Sequence, residues 1–348
     1  MDRRRLCAFL MPQGHLLTPI LRGSCFTSIW DLKVGCRGAH AREELLESGS
    51  QTMKQAAPFL VIVGCGRLGS HLATRLDREG CAVRMVDRDA AAFSLLPEHL
   101  AGACFTWESL DLKVLQLAGI TEAGFLIATT SKDDLNVALG LVCRKVFGTD
   151  HVLARVRDPR RADSYARFGI EAVCPTALVA SAFQRLIEAA GAEAGEHEMR
   201  RENMKSLYTV IVGCGRLGSH LANLLSREGH QVVVIDRMES AFSKLSAEAY
   251  SGFRVEGDAS EPSILRSAKI AQANLLIAAT HEDNVNLMVA LVAKRVFGVR
   301  HVMARVYDPA REPMYRDLGV ETVCPTLISG EAFFKLVYRA IEGGGDDA

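Results

Sequence analysis

The sequence predicts two tandem α/β domains, each a doubly wound parallel sheet, and three observations carry that expectation. The stretch VIVGCGRLGSHLA occurs twice, letter for letter, at Val61–Ala73 and Val210–Ala222. Each copy ends a β-branched run in a glycine-rich turn that opens a helical pattern, and each is followed by an aspartate, Asp87 or Asp236, at the close of the next apolar run. Beyond these, short β-rich runs alternate with longer helical patterns in both halves, as expected of βαβ units.

The elements follow in order. After the first glycine turn, Leu68, Leu72 and Leu76 recur at helical spacing, and Gly80 stands where a left-handed C-terminal cap is wanted. Val83–Val86 and Val232–Ile235 read as strands that deliver Asp87 and Asp236 to their carboxyl ends. Right-handed crossovers then bring glycine turn and aspartate to one edge of the sheet. Further on, Phe125-Leu-Ile-Ala-Thr-Thr130 matches Leu275-Leu-Ile-Ala-Ala-Thr280, and Asn136 and Asn286 open matching helical runs. His151–Val156 pairs with His301–Val306, Asp158-Pro159 with Asp308-Pro309, and Val173–Thr176 with Val323–Thr326. The halves align almost without gaps, so internal duplication is the whole architecture, with six strands expected per domain. A last helical segment follows each final strand, Leu178–Ala190 and Glu331–Ile341. Its apolar content, including Phe183, Leu186, Phe333 and Val337, exceeds what covering one strand requires, and a docking helix is expected.

Outside the repeats the sequence changes character. Residues 1–55 carry Arg3-Arg4-Arg5, scattered Gly and Cys and no sustained periodicity, and a poorly ordered leader is expected there. The apolar stretch after the arginines is cut by Pro12, too early for a signal peptide. Residues 191–205 are small, charged and glycine-containing, and read as a flexible linker between domains at 58–190 and 206–342. Met53-Lys54 and Met204-Lys205 stand at corresponding places before the first strand of each half, as if two single-domain chains had been fused.

Composition narrows the function classes. The 348 residues hold 41 basic and 41 acidic side chains and are 49% hydrophobic, the balance of a globular protein with sizeable cores. No basic stripe interleaved with aromatics marks a nucleic-acid partner, and no apolar run reaches the roughly 18 residues of a membrane span. The ten cysteines form no CxxC pair or metal-like cluster, and Cys104, Cys143, Cys174 and Cys324 sit in apolar runs. A reducing, cytoplasmic compartment is expected, and no metal site.

The glycine turns carry the chemistry. In Gly64-Cys65-Gly66-Arg67-Leu68-Gly69 and Gly213-Cys214-Gly215-Arg216-Leu217-Gly218, the first glycine permits the tight turn, the second admits a phosphate close to the backbone, and the third lets helix and strand approach. Backbone N–H groups and the helix dipole then hold the anion. Asp87 and Asp236 suit the ribose hydroxyls and repel a 2′-phosphate, favouring NAD(H) or an adenine ribonucleotide, although the adjacent Arg88 and Arg237 soften that preference. Arg67 and Arg216 are within reach of a phosphate or of a facing subunit, and equally suit exposed helix-start positions. Arg155 and Arg305, near the end of the fifth strand, are placed to meet ligand, a neighbouring domain's helix, or a buried acid. Asn136 and Asn286 read as helix-start hydrogen-bonders rather than ligand contacts.

The GCGRLG turn, the strand-end Asp-Arg, Gly257-Asp258-Ala259, the Ala-Thr280 before Asp283-x-x-Asn286, and the Ala-Arg-Val-x-Asp-Pro and Cys-Pro endings together resemble the nucleotide-binding RCK domain, also called KTN or TrkA-N. The tandem resembles the TrkA/Ktr-type regulatory subunits of bacterial potassium-uptake systems. That resemblance implies a Rossmann-like domain binding NAD(H) or ATP/ADP, with Gly257, Asp258, Ala259 and Thr280 added to the site and pairing through the last helix. It further implies a ring beneath a potassium-translocating membrane subunit, on the inner face of the cell membrane, whose shape changes with the nucleotide bound. Such domains bind and switch without turning anything over.

Two departures stand out. About 15 linker residues occupy the place where such chains usually carry a small second regulatory domain. In the first half, Trp107-Glu108-Ser109 replaces Gly257-Asp258-Ala259, and the bulky residue is expected to impair that site. The rival readings are an NAD-dependent oxidoreductase and a scaffold that keeps the fold only to oligomerise. The first lacks a separate substrate domain, and His71 and His220 suit a helix-surface or pocket-rim role better than acid–base catalysis.

Overall fold

The computed structural model describes residues 57–107, 111–195 and 206–343; the expected leader lies outside the described residues. The first half begins with β1 (Phe59–Val63), α1 (Arg67–Arg78) and β2 (Ala82–Asp87), followed by two 3-10 turns and β3 (Cys104–Thr106). It continues through α2 (Leu112–Leu117), β4 (Phe125–Ala128), α3 (Asp133–Val142), β5 (His151–Arg155), α4 (Pro159–Ala166), β6 (Glu171–Val173) and α5 (Pro175–Gly195). The second half repeats the plan. Its strands are β7 (Tyr208–Val212), β8 (Gln231–Asp236), β9 (Phe253–Glu256), β10 (Leu275–Ala278), β11 (His301–Arg305) and β12 (Glu321–Val323). Between them run α6 (Arg216–Arg227), α7 (Pro262–Ser267), α8 (Asp283–Arg295) and α9 (Glu312–Asp317), and α10 (Pro325–Gly343) closes the half.

Each half is one six-stranded sheet, ordered β3-β2-β1-β4-β5-β6 and β9-β8-β7-β10-β11-β12. Every strand pair is parallel. Helices cover both faces of such a sheet, which is why the central strands β1, β4 and β10 are continuous apolar runs rather than alternating ones, and β7 departs from this only at Thr209. The strand order reverses between β1 and β4, and between β7 and β10. That switch point is where a doubly wound sheet opens a crevice at its carboxyl edge. Leu68, Leu72 and Leu76 are buried on α1 as their spacing predicts, and Gly80 ends that segment at φ +88°.

The last helices exchange places. α5 leaves the first sheet and lies on α6 of the second, burying Phe183 and Ile187 with Leu221, Leu225 and Val234. α10 returns the contact, burying Phe333 and Val337 with Leu72, Leu76 and Met85 of the first half. An Arg75–Glu331 ion pair at 2.7 Å ties α10 to α1, and Gln184 donates to Glu228 at 3.0 Å between α5 and α6. The excess apolar surface on each terminal helix is thus spent on the opposite half, so the docking helices dock within the chain. α5 continues to Gly195, so residues 191–195 of the expected linker are helical, and 196–205 lie outside the described residues. Helix interiors tolerate a single glycine at about 1 kcal/mol, and Gly191 alone did not stop this one.

Candidate functional site

The two glycine turns have matching geometry, and each glycine has a separate reason. Gly64 and Gly213 take φ +107° and +101°, and a Cβ on either would come within 2.8 or 3.0 Å of the Thr130 or Thr280 amide. A Cβ on Gly69 or Gly218 would lie 1.8 Å from the carbonyl oxygen of Gly64 or Gly213. The middle glycines differ. Gly66 and Gly215 have ordinary φ values of −75° and −72°, and a Cβ there would meet nothing within 4 Å. Neither conformation nor internal packing calls for glycine at these positions, so what its missing side chain leaves free is the approach from outside.

Each middle glycine is also the N-cap of its helix, without a capping side chain. The first-turn N–H groups of α1 and α6 have no intrahelical acceptor and face that open space with the positive end of the helix dipole. Leu68 and Leu217 are buried and fix the helix start on the core, while Arg67 and Arg216 are exposed beside it. Cys65 and Cys214, inside the turns, are buried, which pushes their thiols up to about 12 and about 11; they are not nucleophiles at neutral pH.

The strand-end aspartates are locked against these turns. Asp87 Oδ2 accepts from the Cys65 amide at 2.6 Å and Oδ1 from the Asp89 amide at 2.9 Å. Asp236 does the same with the Cys214 amide at 2.6 Å and the Met238 amide at 3.0 Å. Each carboxylate oxygen retains a second acceptor site, so both groups can still receive hydroxyl donors. Arg237 leans away from the aspartate before it, towards Glu282 at 3.1 Å and Asp258 at 3.8 Å; Arg88 is exposed.

The halves diverge at the third strand. Gly257 donates to the Asp236 carbonyl at 2.9 Å and adopts φ +153°, where a Cβ would press on Ile264 at 2.5 Å. Asp258 follows; its hydrogen bonds from Ser260, then the nearby Arg237, hold its carboxyl below the usual range. Ala259 is buried behind it. In the first half Trp107 makes the same backbone bond, to the Asp87 carbonyl at 2.8 Å, but its indole is only 6% exposed and packs with Val63, Val86 and Leu115. That burial gives the bulky residue a place in the core, not a stacking position in an open cleft. Glu108 and Ser109 lie outside the described residues.

A cleft of about 520 Å³ opens over the second-half turn, within the range of small-molecule sites. It is lined by Gly213, Gly215, Arg216 and Leu217 from the turn, by Asp236 and Arg237, by Gly257, Asp258 and Ala259, and by Thr280. Gly218 lies beneath the turn rather than on its surface. Asn286 does not reach the cleft as a ligand group. Its Oδ1 accepts from the Thr280 amide and hydroxyl at 2.9 and 2.7 Å, and its Nδ2 donates to the Arg305 carbonyl at 2.9 Å, so it ties two strand ends to α8. Asn136 is placed identically.

The same cleft has a far wall from the first half, formed by Arg155, Arg157, Pro175, Thr176 and Val179. Arg157 and its counterpart Tyr307 were not anticipated among the site residues. The signal was present: within the matched runs Arg155-Val156-Arg157-Asp158-Pro159 and Arg305-Val306-Tyr307-Asp308-Pro309, position 157/307 alone differs. Arg157 pairs with Asp133 at 3.0 Å, whereas Tyr307 lies beneath Arg305 at 4.6 Å and Arg67 at 5.3 Å from its ring centre.

The model of the TrkA-N domain matches residues 60–176 and again residues 209–326. The Trk system potassium uptake protein TrkA of Streptomyces coelicolor is 44% identical over 140 residues, 40% of this chain and 61% of that protein. A TrkA homolog of Pyrococcus horikoshii is 33% identical over 126 residues, covering 36% of this chain and 55% of its own length. TrkA of Vibrio alginolyticus is 25% identical over 353 residues, 78% of this chain and 76% of that protein. The chain therefore spans between 55% and 61% of the length of the first two of these relatives. Among solved structures, GsuK bound to ADP aligns with TM-score 0.64 at 21% identity, over 81% of this chain and 69% of that one. The GsuK channel bound to NAD aligns with TM-score 0.65 at 17% identity, over 82% and 65%. At these identities the likeness is one of fold. Among the described residues, no helix is long and apolar enough to cross a membrane.

Proposed function

The chain belongs to the TrkA-N domain family, which it carries twice, and from that premise we propose that it is a nucleotide-binding regulatory subunit of a Trk/Ktr-type potassium-uptake system. In this reading residues 58–190 and 206–342 are the two nucleotide-binding domains. A bound nucleotide biases their packing, and the packing gates a potassium-translocating membrane partner from its cytoplasmic face. The observation that carries the reading is Gly215: a glycine with ordinary backbone geometry and open space beyond it, capping a helix beside a locked aspartate and facing a cleft. In the ligand pose this implies, phosphates lie on the start of α6 over Gly213, Gly215 and Gly218. Asp236 takes the ribose hydroxyls, and Gly257, Asp258 and Ala259 flank the adenine. Arg216, Leu217, Arg237 and Thr280 complete the wall.

GsuK, which shares the fold, is known with ADP and with NAD, and either NAD(H) or ATP/ADP suits the carboxylate of Asp236. The first half has the equivalent Gly64, Gly66, Arg67, Leu68, Gly69, Asp87 and Arg88, but Trp107 weakens it, so the second half is the binding half. Ring assembly of several chains extends the helix exchange seen within one. In this reading the protein binds and regulates, since its two halves are copies of one nucleotide-binding plan.

A thermal-shift panel with NAD⁺, NADH, NADP⁺, ATP and ADP tests this. Stabilisation by an adenine nucleotide without NADH consumption is expected. Turnover of NADH with a substrate would instead mark an oxidoreductase, and no shift with any ligand would mark a scaffold. Co-purification with a potassium-translocating membrane subunit is the corresponding test of the partner.

A further inference from the structure

Resting on that reading, we propose that the first half supplies the terminal-phosphate subsite of the second half's cleft, through Arg155 and Arg157. The composite site then takes a nucleoside di- or triphosphate in preference to a dinucleotide.

The internal repeat provides the comparison that supports this. Arg155 and Arg305 occupy the same position at the end of equivalent strands, and both line the second-half cleft. Arg305 is satisfied within its own half: its Nε donates to the Thr280 carbonyl at 3.1 Å, a second guanidinium nitrogen donates to the same oxygen, and the plane lies 4.6 Å from the Tyr307 ring centre. Arg155 lacks such an arrangement. Its Nε is buried without a hydrogen-bond partner; the cations Arg157 and Arg216 act against its charge, and Tyr307 and Asp133 oppose them only in part. A buried guanidinium donor beside two like charges is costly to keep without an acceptor. Burial and those like charges pull Arg155 below the usual arginine range, yet a guanidinium remains charged at neutral pH.

The acids nearby do not remove the need. Asp133 is engaged by Arg157, both at its Nε, 3.0 Å away, and at its backbone amide, 2.9 Å away. Glu282 and Asp258 are on Arg237, and Asp236 is on two backbone amides. Asp133 offsets the charge of Arg157 through its Nε, so what a ligand meets is Arg155, Arg216 and the outer guanidinium nitrogens of Arg157, and a compact polyanion at the phosphate end of the cleft fits against them. A terminal phosphate presents three oxygens and up to two charges. The phosphates of a dinucleotide are both esterified and carry one charge each, with a second nucleoside where the extra charge would sit. The reciprocal position is not built this way. Tyr307 replaces Arg157 there, and Arg67 lies over its ring, so among the described residues the polyanion site is built on the second half, with the first half as its wall.

Calorimetry on the full chain with ATP, ADP, AMP and NAD⁺ tests the assignment. The wild type is expected to bind ATP and ADP roughly tenfold or more tighter than AMP or NAD⁺. Arg155→Gln should weaken ATP and ADP by about thirtyfold while weakening AMP less than about threefold, since a desolvated charge pair dominates such losses. Arg155→Lys should recover part of that loss, and the melting temperature of the free Arg155→Gln protein should not fall. A wild-type preference for NAD⁺, an unchanged ATP affinity in Arg155→Gln, or equal losses for AMP and ATP would overturn the inference while leaving nucleotide binding intact. A wild type that binds none of the four would overturn the underlying reading as well.

Discussion

The two halves of this chain carry the same glycine turn, letter for letter, and differ on either side of it. At the third strand the second half has Gly257 at φ +153°, and the first has Trp107, with its indole in the core. At the end of the fifth strand the first half has Arg157 and the second has Tyr307. Both differences act in one direction: the second half keeps its cleft open, and the first half places its cations on that cleft. After a duplication, one copy can keep the site while the other becomes its support, because the exchanged helices already hold the two together.

The largest expected effects test that dependence on exchanged helices. Phe183 and Phe333 are both fully buried, each against the opposite half. Phe183→Ala and Phe333→Ala should each destabilise by about 3–5 kcal/mol, as large-to-small changes in cores do. Urea denaturation should show one transition moving as a unit in both variants. A split transition, with one half unfolding alone, would show that the halves are independent domains that merely touch.

Next in size are the paired aspartates. Asp236→Ala removes the carboxylate on the open cleft and should cost about 1.5–3 kcal/mol of nucleotide binding, roughly 10- to 150-fold. Asp87→Ala should change calorimetric affinity by less than about twofold. Equal losses from the two would remove the asymmetry between the halves.

The glycines sharpen the comparison at finer scale. Gly215→Ala should weaken binding roughly tenfold, about 1.4 kcal/mol, while leaving the melting temperature of the free protein nearly unchanged, because its Cβ meets no protein atom. Gly66→Ala should change neither binding nor melting temperature, since a Cβ there also meets nothing within 4 Å. Gly218→Ala should behave unlike both, lowering the melting temperature whether or not ligand is present, since its Cβ would strike the Gly213 carbonyl at 1.8 Å. A Gly215→Ala protein that binds normally would mean that nothing approaches the backbone there.

How far these features could be read from the sequence follows from how local they are. The sheets, the turns, the capping Gly80 and the locked aspartates depend on spacings within a few tens of residues, and periodicity and turn chemistry report them directly. The docking role of α5 and α10 showed in their surplus of apolar residues, although not which surface would receive them. Gly191 read as the start of a linker because glycine disfavours helix, but α5 runs through it to Gly195. The far wall of the cleft was hidden for a different reason: Arg155 and Arg157 reach the second-half turn only because the exchanged helices bring the halves together. At Arg155 the sequence leaves open a ligand, a neighbouring helix or a buried acid, and three-dimensional packing places it on the cleft wall.

The smallest expected effect concerns a repeated histidine on the exchanged surface. His71 is pulled below its ordinary value of 6.5 by burial first and then by Arg75 and Arg78. His220 is lowered by burial and then by Arg227 alone. In both cases the folded protein prefers the neutral ring, so the unfolded chain binds the proton more readily. Stability is therefore complete above the unfolded value and declines as pH falls through 6.5 towards the lowered folded values. His71 also lies under α10, where a Cβ on Gly330 would come within 2.8 Å of its Cδ2, so protonation there acts on the helix contact itself. Urea midpoints measured at about pH 7.5 and about pH 5.5 should fall less in His71→Gln than in the wild type, with a smaller correction in His220→Gln. If both variants lose as much on acidification as the wild type, the acid sensitivity of the fold lies outside the exchanged helices, and the two halves do not differ in this respect.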